Sequence, residues 1–274
     1  MTTRHRVIGT LAAAVLLGAA GQASAVRFSV IGDWGSGSDN QARIAKRMCA
    51  DRLTAPVSFI ATVGDNFYDT GYAKSSNWSN PMRCLINTGL PWRAAWGNHD
   101  LGGGTGTATA LKSPKRWYTM TPSGAVRLIF LDSNQWSNQS QLTWLKKVLQ
   151  SEAGSTRPII VLFHHPHRTA GTHGPATSQR QLWEPLFLKY GVKLVLQGHN
   201  HNYERIQYKS ITYITTGGGG AGLYPCIRPT AGLKVCKSVH QFLTVTATPT
   251  KIGVRAVDTS GRLIDAIRLS PPRV

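Results

Sequence analysis

A chain of 274 residues, 41% of them hydrophobic, can bury one large core, and two full domains would be cramped in it. Its formal charge of +19 attracts anions, whether phosphorylated substrates, nucleic acid, anionic cell-wall polymers or lipid head groups. There is no dense Lys/Arg run and no basic stripe with interleaved aromatics, which argues against a dedicated nucleic-acid groove, and past the N-terminus no run of about eighteen apolar residues could span a membrane.

The first element in chain order is expected to be removed. Arg4, His5 and Arg6 form a positive start, residues 7–21 are apolar and small, and Ala23-Ser24-Ala25 is an A-x-A cleavage pattern. This is the layout of a secretory signal peptide over 1–25, too short and too rich in Ala and Gly to span a bilayer well. It leaves 26–274 as one soluble domain, secreted or periplasmic, with +17 once Arg4 and Arg6 are taken from +19. Residues 26–31 form an apolar run ending at Gly32-Asp33. Residues 40–53 carry Ile44, Ala45, Met48 and Leu53 at helical spacing. Strand-like runs follow at 57–63, ending at Gly64-Asp65, at 91–96, before Gly97-Asn98, and at 126–131, ending at Asp132. Residues 139–149 are expected to be helical, with Leu142, Leu145, Val148 and Leu149 on one face. A strand at 158–163 ends at His164-His165-Pro166. A helix over 178–190 contains Pro185 as a potential kink, and a strand at 192–196 leads to Gly198. The rhythm then changes: 203–208, 211–215, 242–248, 252–257 and 263–269 have the pattern of antiparallel strands. The Gly-rich stretches 102–106 and 217–222 are expected to be rim loops, where flexibility would concentrate. Strands alternating with helices, then a run of strands, predict an α/β layered domain, whose ligands gather at the carboxyl ends of strands.

Cys49, Cys84, Cys226 and Cys236 form an even set in an exported chain and predict two disulfides. Of three pairings, Cys226–Cys236 is favoured because it closes a short loop, with Cys49–Cys84 following by elimination. None has the C-x-x-C spacing of a zinc ribbon or redox motif. Asn77 and Asn138 begin glycosylation sequons, a tripeptide common by chance.

Five motifs stand at expected strand ends: Gly32-Asp33-Trp34-Gly35, Gly64-Asp65-Asn66-Phe67-Tyr68, Gly97-Asn98-His99-Asp100, Val161-Leu162-Phe163-His164 and Gly198-His199-Asn200-His201. Each alone has an ordinary reading as a turn, a polar loop or a packed aromatic. Together they offer two carboxylates (Asp33, Asp65), an uncharged amide oxygen (Asn98), three imidazoles (His164, His199, His201) and a phenol (Tyr68). Hard or borderline cations take such donors, and Asp65, with two oxygens, can bridge a pair about 4 Å apart. A neutral phenol is a poor ligand, with an ordinary pKa of about 10. Tyr68 therefore points to a trivalent cation that can hold it as phenolate.

The motif series resembles that of the calcineurin-like metallophosphoesterases, and Tyr68 makes the chain similar to the purple acid phosphatases, particularly their small tartrate-resistant form. The resemblance implies a four-layer αββα sandwich of two mixed sheets flanked by helices. The plant-type N-terminal β domain has no room before Asp33. It implies a dinuclear centre in which Asp33, Asp65, Tyr68 and His201 hold Fe(III), and Asp65, Asn98, His164 and His199 hold a divalent Fe, Zn or Mn ion. His99, and His173 nine residues after His164, would face the phosphate, while His165, His167 and His240 are expected to be satisfied surface histidines. The implied activity is hydrolysis of phosphate monoesters, on small-molecule or protein substrates, by a metal-held hydroxide in a monomeric enzyme. A phosphodiesterase on the same fold and a basic binding protein with a vestigial site are the alternatives.

Overall fold

The computed structural model describes residues 25–68, 71–103, 106–113 and 115–270. Residues 1–24 of the expected signal peptide lie outside them. The elements in chain order are β1 (Val26–Ile31), α1 (Asp39–Thr54), β2 (Ile60–Val63), a π-helical turn (Ser75–Ser79), α2 (Arg83–Ile86), β3 (Trp92–Ala95), a 3-10 turn (His99–Leu101), α3 (Gly106–Leu111), β4 (Tyr118–Met120), β5 (Arg127–Phe130), α4 (Gln139–Gln150), β6 (Ile159–Leu162), α5 (Thr177–Lys189), β7 (Leu194–Gln197), β8 (Tyr203–Tyr208), β9 (Ile211–Thr216), β10 (Leu233–Lys237), β11 (Gln241–Thr248), β12 (Lys251–Asp258) and β13 (Leu263–Leu269).

The strands form a six-stranded sheet in the order β13-β12-β11-β1-β2-β3 and a seven-stranded sheet in the order β10-β8-β9-β7-β6-β5-β4. Both are mixed. In the first, β1, β2 and β3 are parallel and β11–β13 antiparallel; in the second, β5, β6, β7 and β9 are parallel and the flanking strands antiparallel.

Strand alternation builds the layers, because successive side chains point to opposite faces. Phe28 and Val30 of β1, Ile160 and Leu162 of β6, and Leu194 and Leu196 of β7 meet in the core between the sheets. The intervening Val161 and Val195 face outward under Leu142, Leu145 and Leu149 of α4 and Trp183 and Phe187 of α5. Ile31 and Ile60 face outward under Ile44, Ala45 and Met48 of α1. The result is the four-layer αββα sandwich expected.

Several local expectations change. The segment 102–106 is not simply a loop, since α3 begins at Gly106. Helix α5 runs through Pro185 without interruption. The Gly-rich 217–222 segment is no loose rim: residues 217–221 are buried, with Gly219 N bonded to Gly32 O (3.0 Å) and Ala221 N to Asp33 O (3.0 Å). Asn77 is buried and bonded through its side chain to Lys74 N and Tyr72 O, so its sequon is closed to a glycan. Both disulfides form as paired, with Cα–Cα separations of 6.3 Å for Cys49–Cys84 and 6.1 Å for Cys226–Cys236. No helix among the described residues is long and apolar enough to cross a membrane.

Candidate dinuclear metal site

Register brings the motifs together. Ile31 lies opposite Thr62, and Thr62 opposite Ala94, so β1, β2 and β3 end level and release Asp33, Asp65 and Asn98 along one edge. In the facing sheet Leu162 lies opposite Leu196, so His164 and Gly198-His199 emerge level too. Each rim is tied within itself, by Asp33 N to Gly64 O (3.1 Å) and by Gly198 N to His164 O (2.9 Å), and the two are joined by His199 N donating to the Asp33 carboxylate (3.0 Å).

The turns are tight. Asp33, Asp65 and His199 have φ of 55°, 49° and 71°, three of the six non-glycine residues in this left-handed region among the described ones. Such strain persists only where the surroundings over-determine it, and it clusters at functional sites. At Gly97 an added Cβ would collide with the Asp65 carboxylate.

The donors fall into two sets. Tyr68 Oη lies 2.9 Å from His201 Nε2 and 3.5 Å from Asp33 Oδ1, and His201 Nε2 is 3.5 Å from Asp33 Oδ1. Asp33, Asp65 and His201 each offer a ligand atom within 4.8 Å of the others. On the other side His164 Nε2 lies 3.0 Å from Asn98 Oδ1, 3.2 Å from His199 Nδ1 and 3.3 Å from Asp65 Oδ2. Asp65 stands in both groups. Carbonyls orient two of the imidazoles: His164 Nδ1 donates to Val63 O (3.0 Å) and His201 Nδ1 to Gly222 O (2.6 Å), so each turns Nε2 inward.

Charge supplies the test of whether a metal pair fits. Asp33 and Asp65 are buried side by side, and among the described residues neither meets a Lys or Arg. Burial, then Asp65 repulsion, pushes the Asp33 carboxyl well up despite the nearby His164. Burial alone would lower His164, but the adjacent Asp65 and Asp33 carboxylates win and push it up to about 9. In turn the charged His164 outweighs burial at Asp65 and holds its carboxyl below the usual range. Burial drives His199 down to about 2 and His201 down to about 4, keeping both imidazoles neutral and able to ligate. Burial and the Asp33 charge push the Tyr68 phenol well up, so only a strong cation would make it a phenolate. Two buried carboxylates with no Lys or Arg partner among the described residues, sharing the charged imidazole of His164 and faced by the neutral ones of His199 and His201, are what cations compensate.

His99 and His173 flank these donors. His99 Nε2 is 4.0 Å from Asp65 Oδ2, and its ring lies 4.5 Å from that of Tyr68. The exposed His173 places its ring 4.4 Å from that of His199. Behind the motifs, fully buried Asp100 accepts from the backbone of Asn66, Phe67 and Gly97, from the Asn66 amide and from Thr107. It locks the second motif to the third.

Two histidines are not where the sequence reading puts them. His165 is no surface residue: its ring is 4.7 Å from His199, it groups with His164 and His199, and Ser133 Oγ holds its Nδ1 at 2.8 Å. His167 is fully buried among Phe163, Trp183, Phe187 and Tyr213, with neither ring nitrogen partnered among the described residues. His240 is half-buried and satisfied by Gly218 O (3.2 Å). Tyr224, which no motif flagged, stacks on His201 at 4.1 Å. It lies in an irregular segment with no periodic signal. The His-His doublet at a strand end was a usable sign of His165. A cavity of about 700 Å³ lies away from this chemistry, on the sheet face lined by Arg27, Lys251, Arg255 and Arg268.

Fold and site together define an α/β-sandwich hydrolase with a paired-metal donor set at the rim of its sheets. The chain belongs to the calcineurin-like phosphoesterase family, whose sequence pattern matches residues 26–203, and it is a metallophosphatase similar to the purple acid phosphatases. It is 26% identical to the mouse tartrate-resistant acid phosphatase type 5, over 90% of each chain. In structure it is similar to the Plasmodium inner-membrane-complex anchor GAP50 (TM-score 0.80, 22% identity, 91% of this chain and 90% of that one). It is also similar to a purple acid phosphatase from yellow lupin (TM-score 0.74, 20% identity, 91% of this chain and 54% of that one).

Proposed function

We propose that this chain is an exported acid phosphatase that hydrolyses phosphate monoesters at a dinuclear centre, with 26–274 as its catalytic domain after a signal peptide at 1–25. Two disulfides are consistent with export to an oxidising compartment. Asp33, Asp65, Tyr68 and His201 would hold Fe(III); Asp65, Asn98, His164 and His199 would hold a divalent Fe, Zn or Mn ion. The observation that carries this reading is the division of the donors into two sets sharing Asp65, with the phenol in only one of them. When bound, the metal pair would supply Lewis acidity and activate water for in-line attack at phosphorus.

The protein's own groups do the rest. His99, beside Tyr68, and His173, beside His199, can each give an N–H to a phosphoryl oxygen or a proton to the leaving alcohol. Asp100 holds the Asn98-His99 turn against the Asp65 loop, so that these donors keep their geometry.

Elemental analysis with a visible spectrum tests the centre. Two metals per chain and an absorption band lost in Tyr68→Phe are expected. A colourless protein after loading with oxidised iron counts against the ferric assignment. Faster turnover of diesters than of monoesters would favour a phosphodiesterase, and fewer than one metal per chain without phosphatase activity would leave a binding protein.

A further inference from the structure

A cavity of about 460 Å³ opens beside the centre. Its walls come from the segments that carry the site. Leu101 ends the turn that begins at His99, His165 adjoins His164, and Ser133, Asn134 and Trp136 lie in the turn after β5. The first turn of α5, with Ser178, closes the outer side. Asn134 donates to the carbonyls of Trp96 (3.3 Å) and Gly97 (3.2 Å), which fixes this wall against the Asn98 loop. The His165 ring forms the inner edge, 5.0 Å from that of His164 and 4.7 Å from that of His199. A phosphoryl group held at the centre therefore sits at the mouth of this cavity. Whatever is esterified to it points either into the cavity or into solvent.

The lining has one chemical character. Among the described residues no Lys, Arg, Asp or Glu contributes to it. On a chain of +19 that is a selective absence. The faces of Trp136 and Leu101 offer apolar contact, and Ser and Thr hydroxyls and amides offer uncharged hydrogen bonds. The volume lies within the range of about 300–1,000 Å³ usual for small-molecule sites. An anionic leaving group would find no fixed cation here, whereas an uncharged ring would be desolvated against Trp136.

We infer that this cavity is the leaving-group subsite, and that the preferred substrates are phosphate monoesters of bulky, uncharged, ring-bearing alcohols. This rests on the monoesterase reading above. The test uses phenyl phosphate and 1-naphthyl phosphate, which differ by one ring, and pyrophosphate, whose leaving group is anionic. The metal-loaded enzyme is expected to show kcat/KM roughly tenfold higher for the naphthyl than for the phenyl ester, as expected for extra apolar contact in a pocket, and higher for both than for pyrophosphate. Ser178→Trp should erase the naphthyl preference through KM, and Leu101→Trp from the opposite wall should do the same. Both positions are exposed, so neither replacement burdens the core. Equal kcat/KM for the two esters, a preference that survives both variants, or faster turnover of pyrophosphate overturns the inference while leaving the monoesterase reading intact. Hydrolysis of neither ester by protein carrying two metals overturns that reading, and the inference with it.

Discussion

Replacing His167 with Phe should stabilise this protein, and by more at pH 5 than at pH 7. His167 is fully buried, with ring centroids 4.6 Å from Phe163, 5.8 Å from Phe187, 5.9 Å from Trp183 and 6.2 Å from Tyr213, and neither of its nitrogens has a partner among the described residues. A buried polar group without a partner costs about 1–3 kcal/mol. Phe removes that cost, less about 1 kcal/mol for fitting a slightly larger ring. The pH-dependent part adds to it. Burial, then the charges of Arg180 and Arg168, lower His167 well below its ordinary 6.5. Below pH 6.5 the unfolded chain takes up a proton that the native state refuses, so stability falls as pH falls, by about 1.4 kcal/mol per unit. From 6.5 to 5 this amounts to about 2 kcal/mol, or about 4–8 °C in Tm for a domain of this size. His167→Phe abolishes this contribution. Urea unfolding of both proteins at pH 7 and pH 5, with chelator throughout, reads the difference. A gap that does not widen at pH 5, or a variant less stable at both, refutes the reasoning.

Asp100→Ala strands five buried donors and should cost roughly 3–6 kcal/mol, with metal retention falling alongside Tm, as thermal unfolding and elemental analysis will show. Asp65→Asn weakens both halves of the centre at once, so bound metal should fall from two per chain to below one, whereas Asn98→Ala should spare the Tyr68 side. Removing Cys226–Cys236 should cost about 2.7 kcal/mol and removing Cys49–Cys84 about 3.8 kcal/mol, from loop closures of 10 and 35 residues. Equal losses in urea titrations of the two double-serine variants would speak against a loop-length origin.

The long, strongly periodic elements were legible in advance, and so were the donor side chains that the fold gathers at one rim. Leu142, Leu145 and Leu149 announced α4, and apolar runs announced β1, β6 and β7. What was missed is short or irregular. β10 carries only intermediate and exposed residues, and β4 has three residues, so neither has a periodic signature. α3 opens with a glycine and is rich in Thr, which reads as loop. The misplacement of His165 and His167 has one cause: a histidine carries no intrinsic preference for core or surface. His167 is buried because α5 and β9 close over it with Trp183, Phe187 and Tyr213, all distant in sequence.

The sequence by itself determined which donors are available, their order, and that each follows a strand, since residue chemistry and apolar period are local properties. Only the tertiary structure decided the partnerships. Tyr68 meets His201 across 133 residues, and His199 N meets Asp33 across 166. Those pairings depend on parallel register in two sheets and on the packing of one sheet over the other. The same packing placed an uncharged cavity against His165, which no reading of neighbouring residues could have located.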